Sequence, residues 1–222
     1  MDAPALNYAR ARDWMVDGQV RPNRVYDRRI LDAMRSLPRE RFLPPHLASQ
    51  AYVDEDVPLG RGRALIEPLV IARLVQLAAA RAGERALVVG AGTGYGTALL
   101  AACGAEVTAL EEDAELQAIA RAALAEYAPG VSLVSGPLAA GWPGGAPWDI
   151  ILIEGAVPAV PSDIAGQVRP GSGRLITVLA SAARTGRAVV AEATPAGLTT
   201  RAVFDCATPV LPPLVPPPAF TF

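Results

Sequence analysis

Cysteine and histidine are scarce in this 222-residue chain, which contains two cysteines and one histidine. Cys103 and Cys206 lie far apart and match no zinc-ligand spacing, and His46 has no second histidine to pair with. A metal site would have to be rich in carboxylates, and we expect none. Two isolated thiols also favour a reducing compartment over a disulfide-stabilised fold.

The chain also lacks a surplus of positive charge. Its 20 basic residues, all of them arginine, are balanced by 22 acidic residues, so the formal net charge is −2. Proteins that bind a nucleic-acid backbone need a concentrated basic surface. We therefore expect no nucleic-acid partner.

Long apolar runs are missing as well, and the N-terminus has no basic-then-apolar leader. The apolar segment 69–82 is interrupted by Arg73 and Arg81 well before it reaches membrane-spanning length. With 51% hydrophobic and 19% charged residues, the composition is typical of a soluble globular domain. We expect a cytoplasmic protein without a membrane partner, either a monomer or a homodimer.

A glycine-rich loop at the end of a short apolar run is the most informative feature that is present. Residues 86–96 read Ala-Leu-Val-Val-Gly-Ala-Gly-Thr-Gly-Tyr-Gly, which predicts a buried strand over 86–89 and a helix over 97–102. Glycines between a strand and a helix let a ligand approach the main chain. A tight turn that binds nothing is the alternative for the glycines taken alone.

An acid further along the chain favours a ligand site. Glu111 ends a second apolar strand, about one βαβ unit after the glycines, where a ribose hydroxyl pair would lie. The glycine spacing is G-x-G-x-G, because Tyr95, Thr97 or Leu99 stands where the dinucleotide motif G-x-G-x-x-G needs its third glycine. A dinucleotide-dependent oxidoreductase is therefore the weaker alternative.

Apolar spacing predicts the other elements around this loop. We expect helices at 69–80, at 114–127 with Asp113 as N-cap, and at 162–168; buried strands at 131–134, 148–154 and 174–179; and an antiparallel pair at 188–193 and 200–204. Residues 51–59 look extended. Residues 60–63, Gly-Arg-Gly-Arg, predict a flexible basic loop whose arginines either hold an acidic substrate or are simply solvated.

The chain is long enough for one α/β domain, and we expect it to be a single domain over 1–222. Its predicted parts are an N-terminal helical cap and substrate-side loop over 1–67, an α/β core over 68–208 and a proline-rich arm over 209–222. Six of the ten residues in 209–218 are proline, which excludes a helix or a central strand. The arm is expected to lie extended over the core, anchored by Phe220 and Phe222, with recognition by a partner protein as the alternative.

Several motifs together resemble the protein-L-isoaspartate O-methyltransferase family in order and spacing. They are Leu37-Pro38-Arg39-Glu40-Arg41-Phe42-Leu43-Pro44, Gly60-Arg61-Gly62, Pro68, Gly90-Ala91-Gly92-Thr93-Gly94-Tyr95, Trp148-Asp149-Ile150-Ile151 and Gly173-Arg174-Leu175-Ile176. The resemblance implies a Rossmann-like α/β fold of the class I methyltransferase type. This is an open, mostly parallel, doubly wound sheet with an antiparallel C-terminal strand and an N-terminal helical cap.

The same resemblance implies a cofactor, a substrate class and site residues. The cofactor would be S-adenosyl-L-methionine (SAM), with S-adenosylhomocysteine as product, and the acceptor a carboxylate of a protein, a peptide or a small molecule. The implied cofactor-binding residues are Gly90, Ala91, Gly92, Thr93, Gly94, Glu111, Glu112, Gly136, Pro137, Leu138 and Glu154, and the implied substrate-binding residues are Arg61, Ile66 and Val157. For Glu154, a solvated acid at the end of a strand is an equal alternative.

The chain departs from the family where the methyl group is transferred. The family has Thr-Ile-Ser before its proline, whereas Ala64-Leu65-Ile66 precedes Glu67-Pro68 here, so both hydroxyls are absent and no catalytic residue is assigned. Gly136-Pro137-Leu138 also replaces the Gly-Asp-Gly that faces adenine, which leaves backbone groups at Leu138 and Ala139 for the base. We expect a SAM-dependent methyltransferase with a diverged acceptor; strict isoaspartyl repair and a non-catalytic SAM-binding or partner-binding module are the alternatives.

Overall fold

A computed structural model describes residues 7–181 and 185–216 of the chain. The predicted anchors Phe220 and Phe222 lie outside the described residues. Within the described ranges, no helix is long and apolar enough to cross a bilayer. Nor do these ranges bring three His, Cys, Asp or Glu side chains into a group that could hold a metal ion.

The described residues contain helices that alternate with strands over most of the chain. The helices are α1 (Tyr8–Trp14), α2 (Arg28–Ser36), α3 (Pro68–Ala78), α4 (Tyr95–Ala102), α5 (Ala114–Tyr127) and α6 (Ser162–Ala165). The strands are β1 (Val57–Gly60), β2 (Arg63–Leu65), β3 (Arg85–Val89), β4 (Glu106–Glu111), β5 (Ser132–Ser135), β6 (Ile150–Val157), β7 (Arg174–Leu179), β8 (Gly186–Thr194) and β9 (Gly197–Cys206).

Seven of the described strands form one sheet in the order β5-β4-β3-β6-β7-β8-β9. The pairs from β5 to β7 are parallel, and β7-β8 and β8-β9 are antiparallel. The chain leaves β3 toward β4 and β5, then crosses back to place β6 on the other side of β3. In open α/β sheets, ligands bind at the carboxyl ends of the strands where the order reverses, which here is the edge beside β3 and β6.

Strand alternation divides the core between the two faces of this sheet. Val88 and Leu152 face α3, α4, α5 and the N-terminal cap, whereas Val89 and Ile153 face the opposite side. Among the described residues, that side has α6, with four residues, as its only α-helix. Much of its cover comes instead from Trp148, Leu138, Leu211 and Leu214, the last two of which belong to the proline-rich arm.

The predicted fold class is confirmed, and most predicted elements occur within a few residues of their expected bounds. The helix α5 matches the prediction at both ends because Asp113 caps it, accepting hydrogen bonds from the N–H groups of Glu115 and Leu116. The helix α6 is shorter than the predicted 162–168. The segment predicted as a flexible basic loop is instead the turn of the β1-β2 hairpin, with positive φ at Gly60, Arg61 and Gly62.

The strand β6 is longer than predicted, because it continues past Glu154 to Val157. Residues 155–157 extend beyond the end of β3, whose last partner in β6 is Ile153. The proline-rich arm pairs with this extension through a parallel bridge between Ala156 and Val210. The Ala156 N–H donates to the Pro209 carbonyl over 3.0 Å, and the Leu211 N–H donates to the Ala156 carbonyl over 2.9 Å. The predicted extended course of the arm over the core is therefore confirmed for residues 209–211. It was wrong for Pro212–Leu214, which form a short 3-10 turn with hydrogen bonds from the Leu214 N–H to the Leu211 carbonyl and from the Val215 N–H to the Pro212 carbonyl.

Candidate active site

The glycine loop turns sharply between β3 and α4. Gly90, Gly92 and Gly94 have φ values of +73°, +58° and +93°, which side chains other than glycine rarely tolerate. Ala91 and Thr93 lie between them and are buried. The N–H groups of Gly90 and Ala91 donate to the Leu110 carbonyl at the end of β4, so the loop is fixed to the neighbouring strand.

Glu111 is the acid predicted for the ribose, and its carboxylate is fully buried at the centre of the site. One oxygen, Oε2, accepts from the Gly92 N–H over 2.7 Å. The other, Oε1, accepts from the N–H groups of Glu112 and Asp113, each over 3.0 Å. The carboxylate thus joins the glycine loop to the chain that follows β4.

Arg63 completes the coordination of Glu111. Its Nη1 lies 2.8 Å from Glu111 Oε1 and its Nη2 lies 2.7 Å from Oε2, which is a bidentate pair. Nη2 also donates to the Gly90 carbonyl over 3.0 Å. The expectation of a solvated arginine was wrong for Arg63, which is 7% exposed because the β1-β2 hairpin turns it inward.

Glu154 lies within β6 and is buried, so the alternative of a solvated acid at the end of a strand is wrong, and its role as a cofactor-binding residue stays a prediction. Burial raises the pKa of Glu154 to about 8; the nearby Glu111 carboxylate adds to the rise, whereas Arg63, Arg39 and the Gly96 N–H counteract it. Its Oε2 has no hydrogen-bond partner among the described residues. A side chain on Gly96 would meet this oxygen at 2.5 Å, which explains the glycine at the start of α4.

Arg39 is fully buried beneath the predicted methyl-transfer segment, and sequence reasoning missed it as a site residue. It donates to the main-chain carbonyls of Ala51 and Ile66, and its guanidinium lies 4.8 Å from the centre of the Tyr95 ring. Its Nη1 has no partner in the described structure. The one available signal was its position inside the Pro-Arg-Glu-Arg-Phe motif that supported the resemblance.

The segment around Ile66 is apolar on one side and acidic on the other. Ile66 is 2% exposed, and Ala64 pairs with Pro58 across the hairpin. Burial, together with repulsion from Asp56 and Asp54, raises the pKa of Glu67 to about 7. Neither position 64 nor position 66 supplies a hydroxyl.

The other predicted residues do not all converge on the glycine loop. Leu138 lies beside Gly90, but its N–H, expected to face adenine, donates to Glu112 Oε2 over 3.0 Å. Glu112 and Pro137 are exposed, and Gly136 packs near Trp142.

Two predicted substrate-binding residues differ in their surroundings. The Arg61 side chain, 66% exposed, forms ion pairs with Asp113 and Glu115. Val157 is buried at the end of β6. The roles of all these residues stay predictions.

The arm covers the ligand-facing side of the glycine loop. A Cβ atom built on Gly90 would lie 3.1 Å from Leu211 Cδ1 and 3.4 Å from Arg63 Nη2. One built on Gly155 would lie 2.5 Å from Leu211 Cγ, and one on Gly62 would lie 2.8 Å from Pro212 Cγ. The side chain of Leu211 therefore fills the space between the glycine loop and β6.

The site contains the kinds of chemical group that would bind SAM. The loop offers bare main chain, Glu111 offers a carboxylate beside it, and the buried Thr93 Oγ1 and Glu154 Oε2 lack partners in the described structure. Buried polar atoms without partners are uncommon in folded proteins and point to a missing ligand or solvent. The space itself is taken by Arg63 and Leu211 in this conformation.

An open seven-stranded sheet with a glycine loop after one strand and an acid at the end of the next defines a class I SAM-dependent methyltransferase. Two solved structures share this fold. One is a protein-L-isoaspartate O-methyltransferase from Plasmodium falciparum in complex with S-adenosyl-L-homocysteine, with a TM-score of 0.75, 17% identity and coverage of 90% of this chain and 97% of that chain. The other, a protein-L-isoaspartate O-methyltransferase with a TM-score of 0.74 and 22% identity, is matched over 91% of this chain but only 65% of its own.

Sequence comparison identifies the family. The family described as protein-L-isoaspartate(D-aspartate) O-methyltransferase (PCMT) matches residues 12–194. A protein-L-isoaspartate O-methyltransferase of Methylorubrum extorquens (strain PA1) is 42% identical over 173 residues, which cover 78% of this chain and 75% of that protein. One from Anaeromyxobacter dehalogenans (strain 2CP-C) is 44% identical over 154 residues, or 68% and 73% of the two chains. The chain belongs to the PCMT family, whose members are SAM-dependent O-methyltransferases.

Replacement of Arg63 tests the buried ion pair. We expect Arg63→Met to lower the free energy of unfolding by about 3–5 kcal/mol, because it leaves the Glu111 carboxylate buried without its cation. Arg61→Met is a matched control on the same hairpin, since its exposed pairs with Asp113 and Glu115 are screened by water and should contribute far less to stability. Urea denaturation at pH 7 measures both, and equal losses would contradict the assignment.

Replacement of Glu154 tests its protonation. The folded-state pKa of about 8 lies above the ordinary value of 4.5, so the folded protein keeps a proton that the unfolded chain loses as the pH rises. Glu154→Gln should therefore match the wild type in stability near pH 4.5 and exceed it by roughly 3–5 kcal/mol at pH 9.

Denaturation curves at several pH values between 4.5 and 9 measure this difference. Asp149→Asn serves as the control of opposite sign, because hydrogen bonds from the Arg85 N–H and from Arg169 lower the Asp149 pKa against the effect of burial. That variant should be less stable than the wild type throughout this range. A Glu154→Gln difference that does not change with pH would show that Glu154 is ionised in the folded protein.

Proposed function

We propose that this chain transfers the methyl group of SAM to a carboxylate of a protein or peptide, and that its acceptor differs from an ordinary isoaspartyl peptide. Family membership supports the reaction. The observation that carries the change of acceptor is the hydroxyl-free segment Ala64-Leu65-Ile66, in which Leu65 and Ile66 are buried and the Ile66 carbonyl is bonded to Arg39. The non-catalytic alternative has no observation in its favour.

The reaction asks little acid–base chemistry of the protein. SAM supplies an electrophilic methyl group on a sulfonium when bound. A carboxylate with an ordinary pKa near ~4 is already ionised at neutral pH, so no general base is needed. Alignment of the reactants can contribute roughly 7–11 kcal/mol in well-oriented systems. The residues of this site therefore need to bind, orient and exclude water.

Each of these tasks has candidate residues. Gly90 and Gly92 would allow the cofactor to approach the main chain, and Glu111 would accept hydrogen bonds from its ribose. Glu154, with its raised pKa, would keep a proton at neutral pH and could donate it in a hydrogen bond. Arg39 would fix the main chain of Ile66 at the methyl-transfer segment through its bond to the Ile66 carbonyl.

The setting of the enzyme is part of the same proposal. We propose a single catalytic domain, with the cap over 1–67, the core over 68–208 and the arm over 209–222, that acts in the cytoplasm as a monomer or homodimer. No nucleic acid takes part in this reaction.

Transfer of labelled methyl groups tests the proposed reaction. Purified protein is incubated with methyl-labelled SAM and with isoaspartyl, aspartyl and glutamyl peptides or cell extract. Carboxyl methyl esters release methanol in base, which distinguishes them from N-methyl products. Base-labile label on protein or peptide is the expected result. Binding of S-adenosylhomocysteine without any transfer would instead indicate a non-catalytic module.

Restoring the two hydroxyls tests the change of acceptor. We expect the wild type to methylate isoaspartyl peptides poorly and Ala64→Thr with Ile66→Ser to raise kcat/KM by about 100-fold or more, since each hydrogen bond to a charged group contributes ~1.5–3 kcal/mol. The matched control is Ala64→Val with Ile66→Ala, which copies the shapes without the hydroxyls.

Thermal stability must be followed beside activity, because Ile66 is buried and its replacement leaves a cavity that costs a few kcal/mol. Both double variants carry a similar cavity, so their difference isolates the hydroxyls. Equal activities of two folded double variants would show that the acceptor site has diverged beyond positions 64 and 66. Efficient methylation by the wild type would refute the proposed change of acceptor.

A further inference from the structure

The proline-rich arm and the predicted cofactor compete for the same space. Leu211 is buried between Gly90 of the glycine loop and Gly155 of β6, in contact with both. These are the two strand ends at which an open α/β sheet binds its ligand. A cofactor lying on the Gly90 main chain would overlap the Leu211 side chain.

The polar groups beneath the arm are also closed to a ligand. Glu111 accepts five hydrogen bonds, two of them from Arg63, and its side chain is fully buried. A ribose diol would have to replace at least part of the Arg63 contact. The hairpin that carries Arg63 touches the arm, because Pro212 packs against Gly62. Movement of the arm therefore also frees one side of this hairpin.

Few hydrogen bonds and buried side chains hold the arm over the glycine loop. In its described part, residues 209–216, two main-chain hydrogen bonds, both to Ala156, join the arm to the sheet, and Leu211 and Leu214 are the buried side chains. Pro212, Val215 and Pro216 are exposed or partly exposed. Prolines lack an N–H group and stay extended without partners, so a released arm would have few amides to satisfy.

Two buried polar atoms of the site have no partner in the described structure. One is Thr93 Oγ1 in the glycine loop, and the other is Glu154 Oε2, which lies close to Gly96 at the start of α4. A polar ligand on the glycine loop would bring hydrogen-bonding groups to this region, which the apolar side chain of Leu211 does not.

We propose that residues 209–214 are a removable plug of the cofactor site, so that the arm leaves when SAM or S-adenosylhomocysteine binds. This inference rests on the proposed function. The protein then exchanges between a plugged form without cofactor and an open form that binds it. The apparent Kd equals the Kd of the open form divided by the fraction of protein that is open, so weakening the plug tightens binding.

The test compares S-adenosylhomocysteine binding by the full chain and two arm variants in titration calorimetry. Leu211→Ala removes most of the side chain that fills the site, and Val215→Ala removes a side chain of the same arm that is 48% exposed. We expect Leu211→Ala to lower the apparent Kd by about 10-fold or more and Val215→Ala to leave it unchanged. Far-UV spectra check that both variants fold.

Hydrogen exchange on the wild type gives a second readout that needs no variant. Saturating S-adenosylhomocysteine should accelerate exchange at the Ala156 and Leu211 amides, because both donate hydrogen bonds between arm and sheet. Exchange at the Leu152 amide, within the central part of β6, serves as the control and should not accelerate.

Two results would overturn the plug, and they differ in what they say about the proposed function. If S-adenosylhomocysteine binds all three proteins equally and both amides stay protected, the cofactor enters beside the arm and the methyltransferase proposal stands. If none of the three proteins binds S-adenosylhomocysteine, the arm is a permanent part of the core and the proposed function fails with the plug.

Discussion

The buried carboxylate of Glu111 is the interaction on which the site depends. It accepts hydrogen bonds from the glycine loop, from the start of the segment that leads into α5, and from Arg63 on the hairpin. Two parts of the chain that are distant in sequence, the hairpin and the glycine loop, are thereby fixed to the end of β4 and to the residues that directly follow it. An isolated carboxylate at this depth would be strongly destabilising, so its donors are required for folding. Any ligand that uses Glu111 must exchange one of these donors for its own hydroxyl groups.

A second constraint is the thin cover on one face of the sheet. The parallel strands are apolar on both sides, yet the face that contains Val89 and Ile153 has only α6 as a regular helix in the described structure. Leu211 and Leu214 supply part of the missing apolar cover. The same contact that completes this core places Leu211 on the glycine loop. The Leu211 side chain therefore stabilises this face of the core and at the same time blocks the glycine loop. A movement of the arm would open the loop at the expense of this apolar contact.

The sequence was sufficient for the sheet and for the positions of the glycine loop and Glu111 at its edge. Buried parallel strands are short apolar runs, and the glycines and Glu111 could be placed at their ends without tertiary information. Arg63 could not be placed in this way, because local glycines made its surroundings look flexible, and only the hairpin register shows that it faces Glu111. The sequence signal that could have identified Arg63 was its spacing of two residues from the apolar Leu65, which places both on one face of a strand. In the structure both are buried, and Ala64 between them is less buried. The extra length of β6 was likewise invisible, since it depends on pairing with an arm more than fifty residues later in the chain.

The hydroxyl-free segment 64–66 and the buried Arg39 meet at the Ile66 carbonyl. A hydroxyl at position 66 would need a partner or water, whereas Ile66 packs into the core with its carbonyl bonded to Arg39. That carbonyl satisfies one side of a buried guanidinium, and the Tyr95 ring covers another part of it. Arg39 Nη1 stays unpartnered in the described structure, so the buried cation still has one donor to offer. A negatively charged acceptor is the kind of group that a buried cation with a free donor attracts, which keeps carboxylate chemistry consistent with this segment even though its hydroxyls are gone.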